Sequence, residues 1–182
     1  MQRLETRLDG PVLIEPVVHG DARGSFHESF RADRLMDLGI TDEWVQDNQS
    51  RSARGVLRGM HFQVGGGQAK LVRCARGSVV DVVVDVRRDS PTFGQWEAFG
   101  LDDERHLQLY VPVGFAHGFC VLSESADVLY KCSSYYDPEQ ERAIAYDDPG
   151  VGIEWPDLEL TVSERDRAAP HLAEIADEIS FA

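Results

Sequence analysis

Residues 68–86 read Gln68-Ala-Lys-Leu-Val-Arg-Cys-Ala75, then Arg76-Gly77, then Ser78-Val-Val-Asp-Val-Val-Val-Asp-Val86. Two short β segments parted by a glycine are the local pattern. It repeats outward in both directions, with Gly, Pro, Asp and Asn between the segments. Upstream lie Val12–His19, Gly24–Phe30, Trp44–Asn48 and Val56–Gln63. Downstream lie Gly94–Leu101, Leu107–Val111, Ala116–Leu122 and Asp127–Ser133. A strand about every ten residues is the pattern of an all-β sandwich or barrel. Helix is expected over Ala32–Leu38, closed by Gly39, and over Pro170–Ile179, where Leu172, Ile175 and Ile179 share a face.

Alternation sorts the polar residues of these strands. Lys70 shares a face with Val72 and Cys74, and Arg73 takes the other. A lysine on an apolar face needs a partner, which Asp81 on the next strand could supply. Alternation equally allows Asp81, Val83 and Asp85 to turn to solvent, opposite Val80, Val82 and Val84. On Asp127–Ser133, Tyr130 falls on the face of Val128 and Cys132 and is expected inside.

The chain has 182 residues, with Lys+Arg 18 against Asp+Glu 32 and a formal charge of −14. Hydrophobic content of 42% with 27% charged residues is that of a folded protein rather than a disordered one. Neither repeat nor linker divides it, so one domain over 1–182 is expected. The acidic balance argues against a nucleic-acid partner or a polybasic membrane surface, though a small anion can still find a locally basic pocket. The charged start MQRLETRLDG does not resemble a secretory leader, and the apolar runs are far short of a bilayer span. Cys74, Cys120 and Cys132 are odd in number and sit in apolar runs, which points to buried free thiols and a cytoplasmic setting.

Two further motifs carry chemistry. Gly55-x5-His61-x-Gln63 and Pro112-x-Gly114-x-x-His117 stand some fifty residues apart. Their pairing resembles the two motifs of the cupin superfamily, whose metal-binding members place His-x-His and a carboxylate in the first and another His in the second. Here Gln63 replaces the second histidine, Gln68 stands near the carboxylate position, and Lys70 adds a fixed positive charge. Two imidazoles beside a cation suit acid–base work better than a divalent metal.

Nine blocks in order then resemble the dTDP-4-dehydrorhamnose 3,5-epimerase family from about Val12 to Asp166. They are Arg23-Gly-Ser-Phe-His-Glu28, Gln46-Asp-Asn48, Gly55-Val-Leu-Arg-Gly-Met-His-Phe-Gln63, Gln68-Ala-Lys70, Asp81-Val-Val-Val-Asp85, Ser90-Pro-Thr-Phe-Gly94, Pro112-Val-Gly-Phe-Ala-His-Gly118, Tyr130-Lys-Cys-Ser-Ser-Tyr-Tyr136 and Asp148-Pro-Gly-Val-Gly-Ile-Glu-Trp-Pro156. The resemblance implies an all-β, cupin-type double-stranded β-helix, or jelly roll, with short peripheral helices. It implies a cofactor-free, metal-free isomerase that inverts C3 and C5 of dTDP-4-dehydro-6-deoxy-D-glucose by removing protons α to the C4 ketone. His61 matches the family's base, Asp166 the carboxylate behind it, Tyr130 the acid on the opposite face and Lys70 the cation at the enolate oxygen. His117 matches a further substrate contact there, and Asp81 is expected among the substrate-binding residues. Arg23, Arg58 and Arg165 match diphosphate or sugar contacts, Glu28, Gln46, Asn48 and Glu141 polar nucleotide contacts, and Tyr136 the aromatic stacked on thymine. The family is a homodimer with exchanged N-terminal strands, so the Phe26–Glu28 edge is expected in the neighbour's pocket.

Two other readings stay open. A relative that epimerises a single carbon of a dTDP-4-keto-6-deoxyhexose shares every catalytic residue named. A metal-binding cupin would use His61 and His117. Strict alternation also sets Arg58 and His61 on opposite faces, so both reach one ligand only if Gly59 permits a bulge.

Overall fold

In a computed structural model, which describes residues 1–181, fourteen strands carry the architecture. The first seven are β1 (Gln2–Leu4), β2 (Val12–Glu15), β3 (Val18–Asp21), β4 (Gly24–His27), β5 (Gln46–Ala53), β6 (Val56–Gln63) and β7 (Lys70–Arg76). Then follow β8 (Ser78–Asp85), β9 (Trp96–Asp102), β10 (Gln108–Val111), β11 (Phe115–Val121), β12 (Ser125–Cys132), β13 (Glu141–Ala143) and β14 (Thr161–Val162). Short helices α1 (Ala32–Asp37), α2 (Glu164–Arg167) and α3 (Leu172–Ile175) lie outside the sheets. None is long and apolar enough to cross a membrane.

The strands form two large sheets, in the orders β1-β2-β10-β7-β12-β5 and β13-β6-β11-β8-β9, with β14 parallel beside β6. A two-stranded hairpin, β3-β4, stands apart from both. The large sheets face each other across a core of Val72, Cys74, Val79, Val83, Leu109, Val111, Phe115, Phe119 and Val128. This is the jelly roll. Strand and helix positions follow the sequence expectations closely at β6, β8, β10, β11 and α1, with larger shifts at several others. Val12–His19 is split into β2 and β3, and the expected Trp44–Asn48 strand begins at Gln46 and runs on to Ala53. The Pro170–Ile179 helix is only α3 followed by a 3-10 turn over Ala176–Glu178. All three cysteines are buried and free.

Both sheets are covered on their outer faces as well. Val82 and Val84 of β8 pack with Met60, Phe62, Leu172, Ile175 and Ile179, while Ile14 and Leu71 pack under Leu35 of α1. The outer cover on β8 decides between the two readings that alternation allowed. The even-numbered valines lie beneath the C-terminal helical segment, so the Asp81–Val83–Asp85 face turns inward. Asp81 and Asp85 are both fully buried. Asp85 is satisfied by Arg87, Ser90 and Thr92, and Asp81 belongs to the site below.

Candidate active site

A cavity of ≈ 800 Å³ opens between the sheets, beside the apolar core. From the first sheet come Gln46, Asn48 and Ser50 of β5, Lys70 of β7 and Tyr130 of β12. From the second come Arg58, His61 and Gln63 of β6 and His117 of β11. His61 and Tyr130 therefore approach the same space from opposite walls.

The wall at β6 is built around one irregularity. His61 pairs with His117 and Arg58 with Phe119, so three steps on β6 match two on β11. That is a β-bulge at Gly59-Met60, and it puts Arg58 and His61 on the same cavity despite their odd spacing. Gly59 has φ +133, and a Cβ there would stand 2.5 Å from the Gly118 Cα. No other residue type fits this crossing without displacing backbone. Arg58 extends along the wall, its Nε donating to the Ser52 Oγ at 3.0 Å.

The C-terminal segment adds the carboxylate. β14 docks in parallel on Val56 and Leu57. The Ser163 hydroxyl then caps α2 by accepting from the Asp166 N–H at 3.0 Å, which turns the Asp166 side chain back toward β6. Its Oδ1 lies 2.8 Å from His61 Nε2, and its Oδ2 accepts from the Gly59 N–H at 3.4 Å. Burial alone would push this carboxyl up, but the hydrogen bonds from His61, Gly59 and Ser163 hold it below the ordinary carboxylate value. A buried carboxylate on one ring nitrogen fixes the orientation of the imidazole.

A second imidazole–carboxylate pair lies beside the first. His117 Nε2 is 2.9 Å from the Asp81 Oδ2. Asp81 is fully buried and is not among the residues lining the cavity, so it stands behind the His117 ring and orients it. Nor does Asp81 neutralise Lys70. The Lys70 Nζ donates to the His61 carbonyl at 3.4 Å and makes no ion pair among the described residues. Burial pulls the Lys70 ammonium down from its ordinary value, the more distant Cys132, Glu141 and Asp81 offsetting it in part. Burial likewise raises the Tyr130 phenol, which keeps it protonated at neutral pH.

At the mouth, Glu141 of β13 accepts from the Tyr136 hydroxyl at 2.8 Å and from Arg165 of α2. Gln46 accepts from the Tyr136 N–H at 3.0 Å and donates to Asn48 at 3.1 Å. Gln63 and Gln68 hold the loop that presents Tyr136. Gln63 accepts from the Asp137 N–H at 2.8 Å, and Gln68 donates to the Ser134 carbonyl at 2.9 Å. The glutamine standing where a metal-binding cupin has histidine is thus engaged with the backbone. Among the described residues, no three His, Cys, Asp or Glu side chains are grouped to hold a metal ion.

Arg23, Phe26 and Glu28 lie on or just beyond the β3-β4 hairpin and outside this cavity. Phe26 is 68% exposed, and Arg23 pairs with Asp21 on the same hairpin. Ser50, Ser52, Thr161 and Ser163 complete the site and were missed in the sequence. For the first two a signal existed, since Gln46, Asn48, Ser50 and Ser52 recur at every second position.

Known proteins converge on the same reading. The family model described as dTDP-4-dehydrorhamnose 3,5-epimerase matches residues 5–174. The dTDP-4-dehydrorhamnose 3,5-epimerase of Pseudomonas aeruginosa is 50% identical over 174 residues, covering 93% of this chain and 96% of its own. The solved structure of RmlC from Legionella pneumophila, a dTDP-6-deoxy-D-glucose-3,5-epimerase in complex with dTDP-4-keto-L-rhamnose, superposes with a TM-score of 0.95 at 48% identity, covering 100% of this chain and 98% of that one. ChmJ, a 3'-monoepimerase from Streptomyces bikiniensis solved with dTDP-quinovose, has a TM-score of 0.89 at 40% identity over 95% of this chain and 89% of its own. With its motifs, fold and cavity in agreement, the chain belongs to the dTDP-4-dehydrorhamnose 3,5-epimerase family.

Proposed function

We propose that this chain inverts C3 and C5 of dTDP-4-dehydro-6-deoxy-D-glucose, yielding dTDP-4-dehydro-L-rhamnose without a cofactor or a metal. The observation that carries the reading is the His61–Asp166 pair on one wall of a cavity whose other wall presents Tyr130 and an unpaired Lys70. His61 takes the proton from the carbon α to the C4 ketone, and the electron pair moves onto the ketone oxygen as an enolate. Lys70 and His117, the latter oriented by Asp81, stabilise that oxygen. Tyr130 returns a proton to the opposite face, which inverts the carbon.

Lys70 suits this role because its charge is buried without a counter-ion. The neutral ketone leaves it uncompensated and the enolate compensates it, so the interaction strengthens toward the transition state. Arg58 and Arg165 take the diphosphate, Tyr136 stacks on the thymine, and Gln46, Asn48 and Glu141 meet the nucleotide's polar groups. The protein works as one domain in the cytoplasm, as a homodimer with exchanged N-terminal strands. In the dimer Arg23, Phe26 and Glu28 of each hairpin reach the partner's cavity. The exposed β3-β4 hairpin and its bare Phe26 support this arrangement.

The test is NMR of dTDP-4-dehydro-6-deoxy-D-glucose with the protein in D2O. Deuterium at both C3 and C5 is expected, in a product that a rhamnose-forming reductase accepts. Deuterium at one carbon moves the protein to the single-carbon epimerases, the activity for which the Streptomyces bikiniensis relative is named. No exchange at either carbon rejects the reading.

A further inference from the structure

We propose that His27 and His106 form a clasp that fastens the β3-β4 hairpin to the first sheet and releases it in acid. His27 closes β4, and His106 precedes β10. Their rings stack with centroids 4.4 Å apart and planes 24° apart. Neither residue belongs to the catalytic constellation described above.

Two observations set this stack apart from a chance contact. First, β3 and β4 pair only with each other, and every residue of the two strands is exposed except His27. Within one chain, the ring of His27 is thus where these strands are most covered. Second, His106 has φ 55, and it is the only non-glycine residue at positive φ among the described residues. Such a conformation is uncommon outside glycine and persists where the surroundings hold it. The ring so presented is the one that His27 covers.

The charges around the stack give it a direction. Burial first, then the positive charge available on His106 and Arg73, hold the His27 imidazole below its ordinary value of 6.5. The charged groups that bear on His27 are thus His106, on the facing turn, and Arg73, on β7. Arg105, next to His106, is drawn to Glu15 of β2 at 3.9 Å. One protonated ring can stack on a neutral one, but two would set like charges 4.4 Å apart beside a guanidinium. A released His27 takes up a proton more readily than a stacked one. The closed clasp is therefore fully favoured above the ordinary histidine value and loses ground as pH falls from there through the lower value of the stacked ring.

The consequence for catalysis rests on the reading above, in which the hairpin delivers Arg23, Phe26 and Glu28 to a cavity. The test keeps the two apart. Hydrogen-exchange protection of residues 18–27, and kcat and KM for the dTDP-4-keto sugar, are measured from about pH 7.5 to about pH 5.5 on the full chain, on His27→Phe and on His27→Ala. In the unaltered protein, hairpin protection is expected to fall and KM to rise by about threefold or more across that range. His27→Phe keeps a ring on His106 and turns the second proton's repulsion into cation–π attraction, so its protection stays level. Its KM then lacks the rise, while kcat follows the same pH profile as the unaltered protein. His27→Ala is expected to show low protection and a raised KM at every pH. Identical pH profiles of protection in the unaltered protein and His27→Phe would overturn the clasp. Protection that follows the clasp while KM stays flat would uphold it and overturn the hairpin's assignment to the cavity.

Discussion

The space between the two sheets is built in two ways. One part is closed by Val72, Leu109, Phe115 and Val128, with no polar side chain to satisfy. The other, reached along the same strands a residue pair away, holds Lys70, Tyr130, His61 and His117 around an open cavity. On β7 the change falls between Val72 and Lys70, and on β12 between Val128 and Tyr130. The first part stabilises the fold, as apolar area removed from water does. The second costs stability, since a buried ammonium without a counter-ion and a wholly buried Asp81 carboxyl are both unfavourable. A jelly roll can carry such a site because its apolar half secures the walls that the polar half loads.

Substitutions at each part should separate these contributions. His61→Asn removes the base and is expected to lower kcat by about 10²–10⁴-fold while leaving the melting temperature nearly unchanged. A comparable loss of melting temperature would make His61 a structural residue. Leu109→Ala in the closed part should cost ~2–5 kcal/mol in denaturant unfolding, with kcat per folded molecule retained.

Lys70→Met should do the reverse, since an apolar chain of similar length replaces an unpaired buried charge. A gain of ~1–4 kcal/mol with severe loss of activity is expected, and destabilisation would show that Lys70 is compensated in the folded state. Asp166→Asn has the smallest stability effect and a definite sign. The native carboxyl lies below its ordinary value, so its contribution is present above the unfolded carboxylate range and is lost as pH falls through the lowered value. Acid unfolding of Asp166→Asn should therefore fall less steeply than that of the unaltered protein.

The same contrast explains what could be read from the sequence. Strands that line the closed part alternate or run apolar, and β6, β8 and β11 were legible from that pattern alone. β5 was half missed because its inward residues Gln46, Asn48, Ser50 and Ser52 are as polar as its outward ones, leaving no hydrophobic alternation to detect. β14 and α2 were missed because two strand residues and one helical turn carry no periodicity. Their role came only through the resemblance that marked Asp166. The inward turn of Asp81 needed the tertiary fact that the opposite face of β8 lies under the C-terminal segment. The Arg58–His61 conflict, by contrast, was visible, and Gly59 marked the place where the chain resolves it.

The central claim is that base and acid act from opposite walls of one cavity, and isotope exchange tests it at the reacting carbons. In D2O, Tyr130→Phe should still place deuterium at the substrate's α carbons, because His61 can remove a proton and return a deuteron on its own face, but with configuration retained. His61→Asn should abolish exchange and inversion together. Inversion surviving in Tyr130→Phe, or exchange surviving in His61→Asn, would contradict the account.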